Sequence, residues 1–560
     1  MGTNKYMDEE EKDVSRKNCR GIRRAVSLML SALMVFSVKV TPVMAANDVK
    51  IDGNAAKAFV SVGPSTEGTT YYVDSVNGND SNTGTSPSQP WKTLDKVSAS
   101  RFQPGDHILL EANSIWEGDS KYNGQKGKEN YTASGNALLL RSSGSEGNPI
   151  VIDFYVNDGG KAVYSSDTRP VINGNGTWGI GGKKTMVSAP VMTYNADNIE
   201  IYNLEVTNVP QSAGGIGSDA WRKPGDAQRC GILTYFDDQD TQFNHIVIKN
   251  CYVHDVQTEH HNARKDQSFE GLKATGGIIV LGHYMNPDAE WMVGGKGSGN
   301  DLPESDKGKA KVKLNDISIE NNIVKNVGLE GIRTKCQSNY TASGNTFNKT
   351  FTNASISGNY LENIAGDGIV MTEVVNGITQ NNVAKQPSDA DYGTTNYAGI
   401  WSMFADDIVF QYNECYGIRY GYNDGEGYDI DLSCERNTYQ YNYSHHNSGG
   451  FMLFMGDQKD SVVRYNISAN DGFGNKGTNS DKLGNVGGYT YDSQSIFHYW
   501  NKSDNANMPT IYNNTFYVGD GYDTALYGEG NGNDNTGVIS RFYNNLIVKE
   551  GEGELKFLTH

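Results

Sequence analysis

Helix-type spacing of apolar residues is almost missing from this 560-residue chain, which excludes a helical bundle. A basic footprint is missing too. The net charge is −18 and the pI about 5.0. That excludes a nucleic-acid partner and argues against a polyuronate substrate, which would prefer a positive groove. A neutral sugar chain fits better. Cysteine is scarce, and five cysteines lie beyond residue 45: Cys230, Cys251, Cys336, Cys415 and Cys434. An odd number without tight spacing makes neither a disulfide framework nor a zinc site, so these read as buried packing residues. Only one apolar run stands out, Ala25 to Val38, behind Lys17, Arg20, Arg23 and Arg24 and ahead of Val43-Met44-Ala45. It is short for a membrane span and has the form of an export signal. With Lys39 interrupting the run, the signal reading is preferred over an uncleaved anchor. Residues 1–45 are therefore expected to be a signal peptide and 46–66 a linker, giving an exported mature protein with no membrane span, secreted or associated with the cell surface.

What the chain does contain is glycine (65 residues) and tyrosine (33), a composition of turn-rich β proteins. A unit repeats within it. Ile317-Ser-Ile-Glu-Asn-Asn322 returns in form as Ile356-Ser-Gly-Asn359, Ile378-Thr-Gln-Asn-Asn382, Val409-Phe-Gln-Tyr-Asn413 and Thr438-Tyr-Gln-Tyr-Asn442. Later copies end at Asn466, Asn514 and Asn545. Most steps are roughly 23 to 37 residues, a solenoid period. Alternating apolar residues turn one face inward at every coil, and the aligned asparagines are expected at a bend, bonded to the bends above and below, in a conformation that Asn tolerates. A β-sandwich would not repeat an Asn-ended unit. The expected fold is all-β: a right-handed parallel β-helix with an N-terminal cap (67–160, including the first coils) and a catalytic solenoid (161–560). Trp91 to Leu94 opens a short amphipathic helix in that cap, and His107 to Glu111 is a strand. Such a cap resembles those of extracellular β-helix glycosidases and lyases, and it covers an otherwise open solenoid end. Asn286 to Lys309 and Asp471 to Gly487 read as inserted loops.

A second unit follows each Asn-ended strand: a glycine and then alternating residues, starting at Gly277, Gly331, Gly368, Gly399, Gly427 and Gly450. Ile278, Ile332, Ile369, Ile400, Tyr428 and Phe451 should point inward. Residues two and four past each glycine should then face outward. That face reads Arg333 and Lys335, Val370 and Thr372, Trp401 and Met403, Asp429 and Asp431, Met452 and Phe454. Two carboxylates roughly 6.5–7 Å apart at Cα, with Asp424 and Glu426 in the turn before them, suit sugar hydrolysis. One carboxyl protonates the leaving oxygen and another stabilises or attacks the anomeric carbon. Crowded like charges raise one pKa, so acid and base coexist. Other readings stay open. The acidic turn could hold calcium through oxygen ligands. Trp401 could pack under a loop or stack on a sugar, as could Phe454. Arg333 and Lys335 read as a solvated pair, or else one serves as a lyase-type base, and Arg333 also counts as a substrate contact. Of His445 and His446, one reads as a turn hydrogen-bonder and the other as a contact to a substrate hydroxyl. A non-catalytic glycan-binding wall is the third class.

Asp424-Gly-Glu-Gly-Tyr-Asp-Ile-Asp431, then Asn437 to Asn442, Ser444-His445-His446-Asn447 and Gly449-Gly450-Phe451, resemble bacterial β-helix glycosidases. Among these the stretch is similar to glycoside hydrolase family 136, the lacto-N-biosidases of gut bacteria. The resemblance implies release of lacto-N-biose from milk-type or mucosal oligosaccharides with retention of configuration, by two aspartates seven residues apart. Asp424 and Asp431 match that spacing, implying Asp431 as nucleophile and Asp424 as acid/base, with Asp429 competing for either role. It further implies dependence on calcium-type ions and a dedicated folding chaperone. Since the solenoid opens about 25 residues past the signal and ends near the last coil, that chaperone is expected to be a separate protein. The Asn-Tyr-Ser-His motif is shared with xylan- and fucoside-active β-helix families.

Overall fold

The computed structural model describes residues 58–119, 135–178, 187–238, 241–259, 273–282, 312–336, 349–387, 397–418, 424–455, 458–473, 495–500, 508–529 and 540–558. The expected signal peptide, and nearly all of the two expected inserted loops, lie outside the described residues. From Lys57 onward the chain forms one unit. A coil such as Val312–Glu320, Ile323–Val327 and Glu330–Cys336 gives one strand to each of three walls. Stacked coils turn these into sheets of 14, 12 and 12 strands. Among the described residues the strands pair in parallel, except where Lys161–Val163 folds back on Ile150–Asp158 and Phe59–Val60 pairs with Ser165–Ser166. This is a parallel β-helix.

Alternation explains the core. Ile232, Ile278, Ile332, Ile369, Ile400, Tyr428, Met452 and Phe497 stand in register up the third wall, and all belong to one buried apolar column running the length of the solenoid. The five described cysteines are buried and in no disulfide, as expected. Glycine precedes the inward residue because the second wall presses on that corner. A Cβ on Gly399 would sit 2.1 Å from Cys415 Sγ, and one on Gly427 2.6 Å from Ser444 Oγ.

The asparagines form the expected ladder between the first two walls. Asn322 Nδ2 donates to Asn359 Oδ1 at 3.0 Å, and the same bond runs on through Asn382, Asn413, Asn442, Asn466, Asn514 and Asn545. The left-handed conformation belongs to the residue before each rung, not to the rung itself: Asn321 (φ 54°), Tyr412 (56°), Tyr441 (57°) and Tyr465 (56°). Those tyrosines stack along the outside at 5.2 Å. At the N-terminus, helix Leu94–Ala99 starts on Thr93, whose hydroxyl accepts from Lys96 N. Its Ser98 Oγ accepts from Leu139 N and donates to Ala137 O, each at 2.9 Å. The cap thus satisfies part of a strand edge that would otherwise be open.

One expected register is wrong. Glu426 pairs with Gly450, Tyr428 with Met452 and Asp429 with Leu453, so Phe451, not Gly450, stands level with Gly427. Gly450 (φ 149°) instead continues the row of Gly276 (φ 147°). Met452 and Phe454 therefore enter the core column, where the Phe454 ring stacks on Tyr499 at 4.9 Å. Leu453 takes the outward place. Two adjacent glycines, Gly449 and Gly450, let the repeat be read one residue out of step.

Candidate active site

The outer face of the third wall carries three rows of side chains. The middle row runs Ile279, Arg333, Val370, Trp401, Asp429, Leu453, His498. Beside it stand Leu281 and Lys335, then Thr372 and Met403. Asp431 continues that side, its backbone N donating to Ser402 O at 3.0 Å. On the other side Gly276 pairs with Glu330 and Glu426 with Gly450. Asp367 belongs to that row as well, its carbonyl accepting from Gly331 N.

The strand Glu426–Ile430 is gripped from within the solenoid. Tyr439 Oη donates to the carbonyl of Asp429, and Tyr428 Oη to that of Asn413 at 3.1 Å. Buried hydroxyls that fix a backbone in this way hold the side chains above it rigidly. Above it four acids gather. Glu426 is buried, accepts from Gly425 N at 2.9 Å through Oε2, and meets His498 Nδ1 at 3.0 Å through Oε1. Asp429 is 3% exposed, and its Oδ1 has no hydrogen-bond partner among the described residues. Burial first, then the charges of Asp431, Asp424 and Glu426, hold its pKa well above the usual carboxylate range. Asp424, half-buried, is raised as well. Burial leads, Glu426 adds, Lys273 opposes, and Asp431 and Asp367 push further up. Asp431 is half-buried, with Oδ1 accepting from Leu432 N at 2.6 Å. Two carboxyls disposed to keep a proton thus stand beside one that receives a backbone N–H. That is the asymmetry an acid and a nucleophile require.

The other expected residues fall differently. Arg333 is not on a solvated face: it is fully buried, with Nη1 3.0 Å from Glu330 Oε2 and 3.6 Å from Asp367 Oδ2. A buried guanidinium held between two carboxyl groups is neither an accessible base nor an open substrate contact. Trp401 is buried among Val370, Ala398, Met403 and Phe404. Lys273 Nζ and the Arg333 guanidinium lie 5.4 and 5.5 Å from its ring centre, so it packs rather than offering an open platform. Its Nε1 has no partner among the described residues. Phe454 faces the core. His445 and His446 are not brought to the acids. The first lies on the second wall between Tyr416 and Tyr443, with Nε2 3.1 Å from Glu414. The second sits at φ 55°, with burial lowering its pKa to about 4.

The sequence reading missed Glu330, Asp367, Lys273 and His498. Lys273 Nζ lies 3.2 Å from Asp367 Oδ2, both groups buried. Glu330, Asp367 and Glu426 each directly precede one of the repeat glycines, a position that strict alternation assigns to the inward set, so the repeat marks the place and misses the direction. Lys273 and His498 carried no pattern. Among the described residues no group of three or more His, Cys, Asp or Glu side chains is placed to hold a metal ion.

No family model matches the chain. A lacto-N-biosidase of Bifidobacterium longum subsp. longum is 29% identical over 465 residues, covering 72% of this chain and 26% of that protein. This chain thus spans about a quarter of the length of the curated relative it matches. Among solved structures, the native GH136 lacto-N-biosidase from Eubacterium ramulus superposes with a TM-score of 0.56 and its selenomethionine derivative with 0.55. Both are 21% identical and cover 87% of this chain and 68% of theirs. The β-helix is shared with these structures, and the family that the 424–451 stretch resembles is the one named for these two Eubacterium ramulus proteins.

Proposed function

We propose that the protein is a glycoside hydrolase that releases lacto-N-biose from the non-reducing end of milk-type or mucosal oligosaccharides, with retention, outside the cell. The observation that carries this reading is the unequal acid cluster on the rigid strand Glu426–Ile430, joined to the likeness to lacto-N-biosidases. In the first step the Asp431 carboxylate attacks the anomeric carbon while Asp424, protonated, gives its proton to the departing oxygen. A glycosyl ester on Asp431 results. In the second step Asp424, now a carboxylate, takes a proton from water as that water attacks the same carbon, and the ester bond breaks. Asp429, protonated and with a free oxygen, donates to a substrate hydroxyl or amide carbonyl. Glu426, held by His498, stands next to Asp424 and contributes to the rise of the Asp424 pKa. A lyase is disfavoured by the burial of Arg333.

The test is product analysis on lacto-N-tetraose with the wild type, Asp424→Ala and Asp431→Ala. Disaccharide release should fall by about 10³-fold or more in both variants, as for loss of a general acid or nucleophile. The first-formed disaccharide should keep the configuration of the bond cleaved. Equal activity in all three proteins rejects the reading, and new ultraviolet absorbance in the products would indicate elimination instead.

A further inference from the structure

A second cleft lies far from the acids, where the chain crosses from the second wall to the third in the early coils. It has a volume of about 390 Å³ and is lined by Trp178, Pro210, Ser212, Pro224, Arg229 and Gln257. Arg229 is 2% exposed, and two of its three guanidinium nitrogens are committed. Nε donates to Gly176 O at 3.1 Å and Nη2 to Asp226 Oδ1 at 2.6 Å. Nη1 is buried without a hydrogen-bond partner among the described residues. Those two bonds hold the guanidinium in place, and the Arg229 backbone is pinned as well. Its N donates to Thr258 Oγ1 at 3.0 Å and its carbonyl accepts from Gly276 N at 3.2 Å. A buried charged donor left open costs stability unless something fills the site. One water would satisfy the nitrogen but occupies only about 30 Å³.

We propose that this cleft is a second saccharide-binding site, in which Arg229 Nη1 donates to a ring hydroxyl or ring oxygen. The guanidinium charge is already matched by Asp226, which is 61% exposed, so an anion entering the cleft would meet a carboxylate. A hydroxyl accepts from Nη1 and can donate to Asp226 in turn. The prolines and Trp178 supply the apolar surface on which the C–H face of a pyranose rests. The site shares an edge of the third wall with the acids. Arg229 directly precedes Cys230–Phe236, Asp424 closely precedes Glu426–Ile430, and five strand steps separate the two strands. At the usual strand spacing that is about 24 Å. This cleft would anchor a distant part of a glycan, or a neighbouring chain of a mucosal surface, while the acids work on the end. The saccharide class rests on the proposed glycosidase reading; the cleft and its open donor do not.

The test is calorimetric titration of the full chain carrying Asp431→Asn with galactose, N-acetylglucosamine and lacto-N-biose, and separately with sodium sulfate. Saccharide binding should weaken at least tenfold when Ser212→Trp fills the cleft from its exposed rim, and likewise with Arg229→Lys. With Asp431 intact, Ser212→Trp should turn over a small aryl lacto-N-bioside as fast as wild type does. Saccharide binding indifferent to Ser212→Trp overturns the proposal, and so does sulfate occupying the cleft in place of sugar. Ser212-sensitive binding in a protein that hydrolyses nothing would sink only the glycosidase reading. Hydrolysis without Ser212-sensitive binding would sink only this one.

Discussion

The asparagine bend and the acid wall are built by the same coils, yet they treat buried polar groups in opposite ways. At the bend the inner rungs, from Asn359 to Asn514, are saturated. Asn413 donates to Thr379 O and Asn442 Oδ1 and accepts from Asn382 N and Asn382 Nδ2, all between 2.8 and 3.1 Å. On the wall, Asp429 keeps an open oxygen, and Asp424 and Asp429 are pushed toward protonation. A saturated network stabilises; an unsaturated one holds groups ready for something else. The difference marks which side of the coil carries stability and which carries chemistry.

That contrast can be broken most forcefully at Asp429. Replacement by Asn should lower kcat on lacto-N-tetraose by about 10²-fold or more, while raising Tm at pH 8. The sign follows from linkage. A carboxyl whose folded pKa is raised lends stability only below its unfolded pKa and loses it as pH rises toward the folded value. Asn removes that loss, so the Tm gain should shrink toward pH 4. A Tm that falls at every pH would place Asp429 with the structural residues. The converse change is Asn413→Ala, which deletes four hydrogen bonds and leaves buried partners unsatisfied. It should cost on the order of 2–4 kcal/mol in denaturant unfolding, with kcat per folded molecule unchanged. A fall in kcat with stability intact would erase the distinction between the two faces.

Much of this was legible in the chain because each coil repeats its instructions. Asn322 to Asn545 marked the bend, and the glycines at 277, 331, 368, 399 and 427 marked the corner where a Cβ does not fit. The reading failed where the repeat was ambiguous or silent. Gly449-Gly450 offered two registers, and packing chose the one that puts Met452 and Phe454 inside. Alternation reports which way a side chain leaves the wall, not what then covers it. Arg333 and Trp401 leave outward as expected and still end buried. Lys273 reaches Asp367 from a segment outside the repeat, and no spacing rule connects them.

The smallest effect sharpens the comparison from a carboxyl that belongs to the wall but not to the acid cluster. Glu373, at φ 64° just past the strand Ile369–Thr372, is buried and accepts from Cys336 N. Burial raises its pKa to about 8, against the opposing charges of Lys335 and Arg333. In the unfolded chain it titrates near the ordinary value, about 4.3. Between these limits the native protein holds a proton that the unfolded chain gives up, so stability should fall as pH rises from about 4 through 8. Glu373→Gln keeps an oxygen for the Cys336 N–H and cannot ionise. It should match wild type at pH 4.5 and exceed it at pH 9, measured by urea unfolding at the two pH values. A variant equally destabilised at both would mean that Glu373 is ionised in the fold and held by its cations. The wall carboxyls pushed toward protonation would then be Glu330, Asp424 and Asp429.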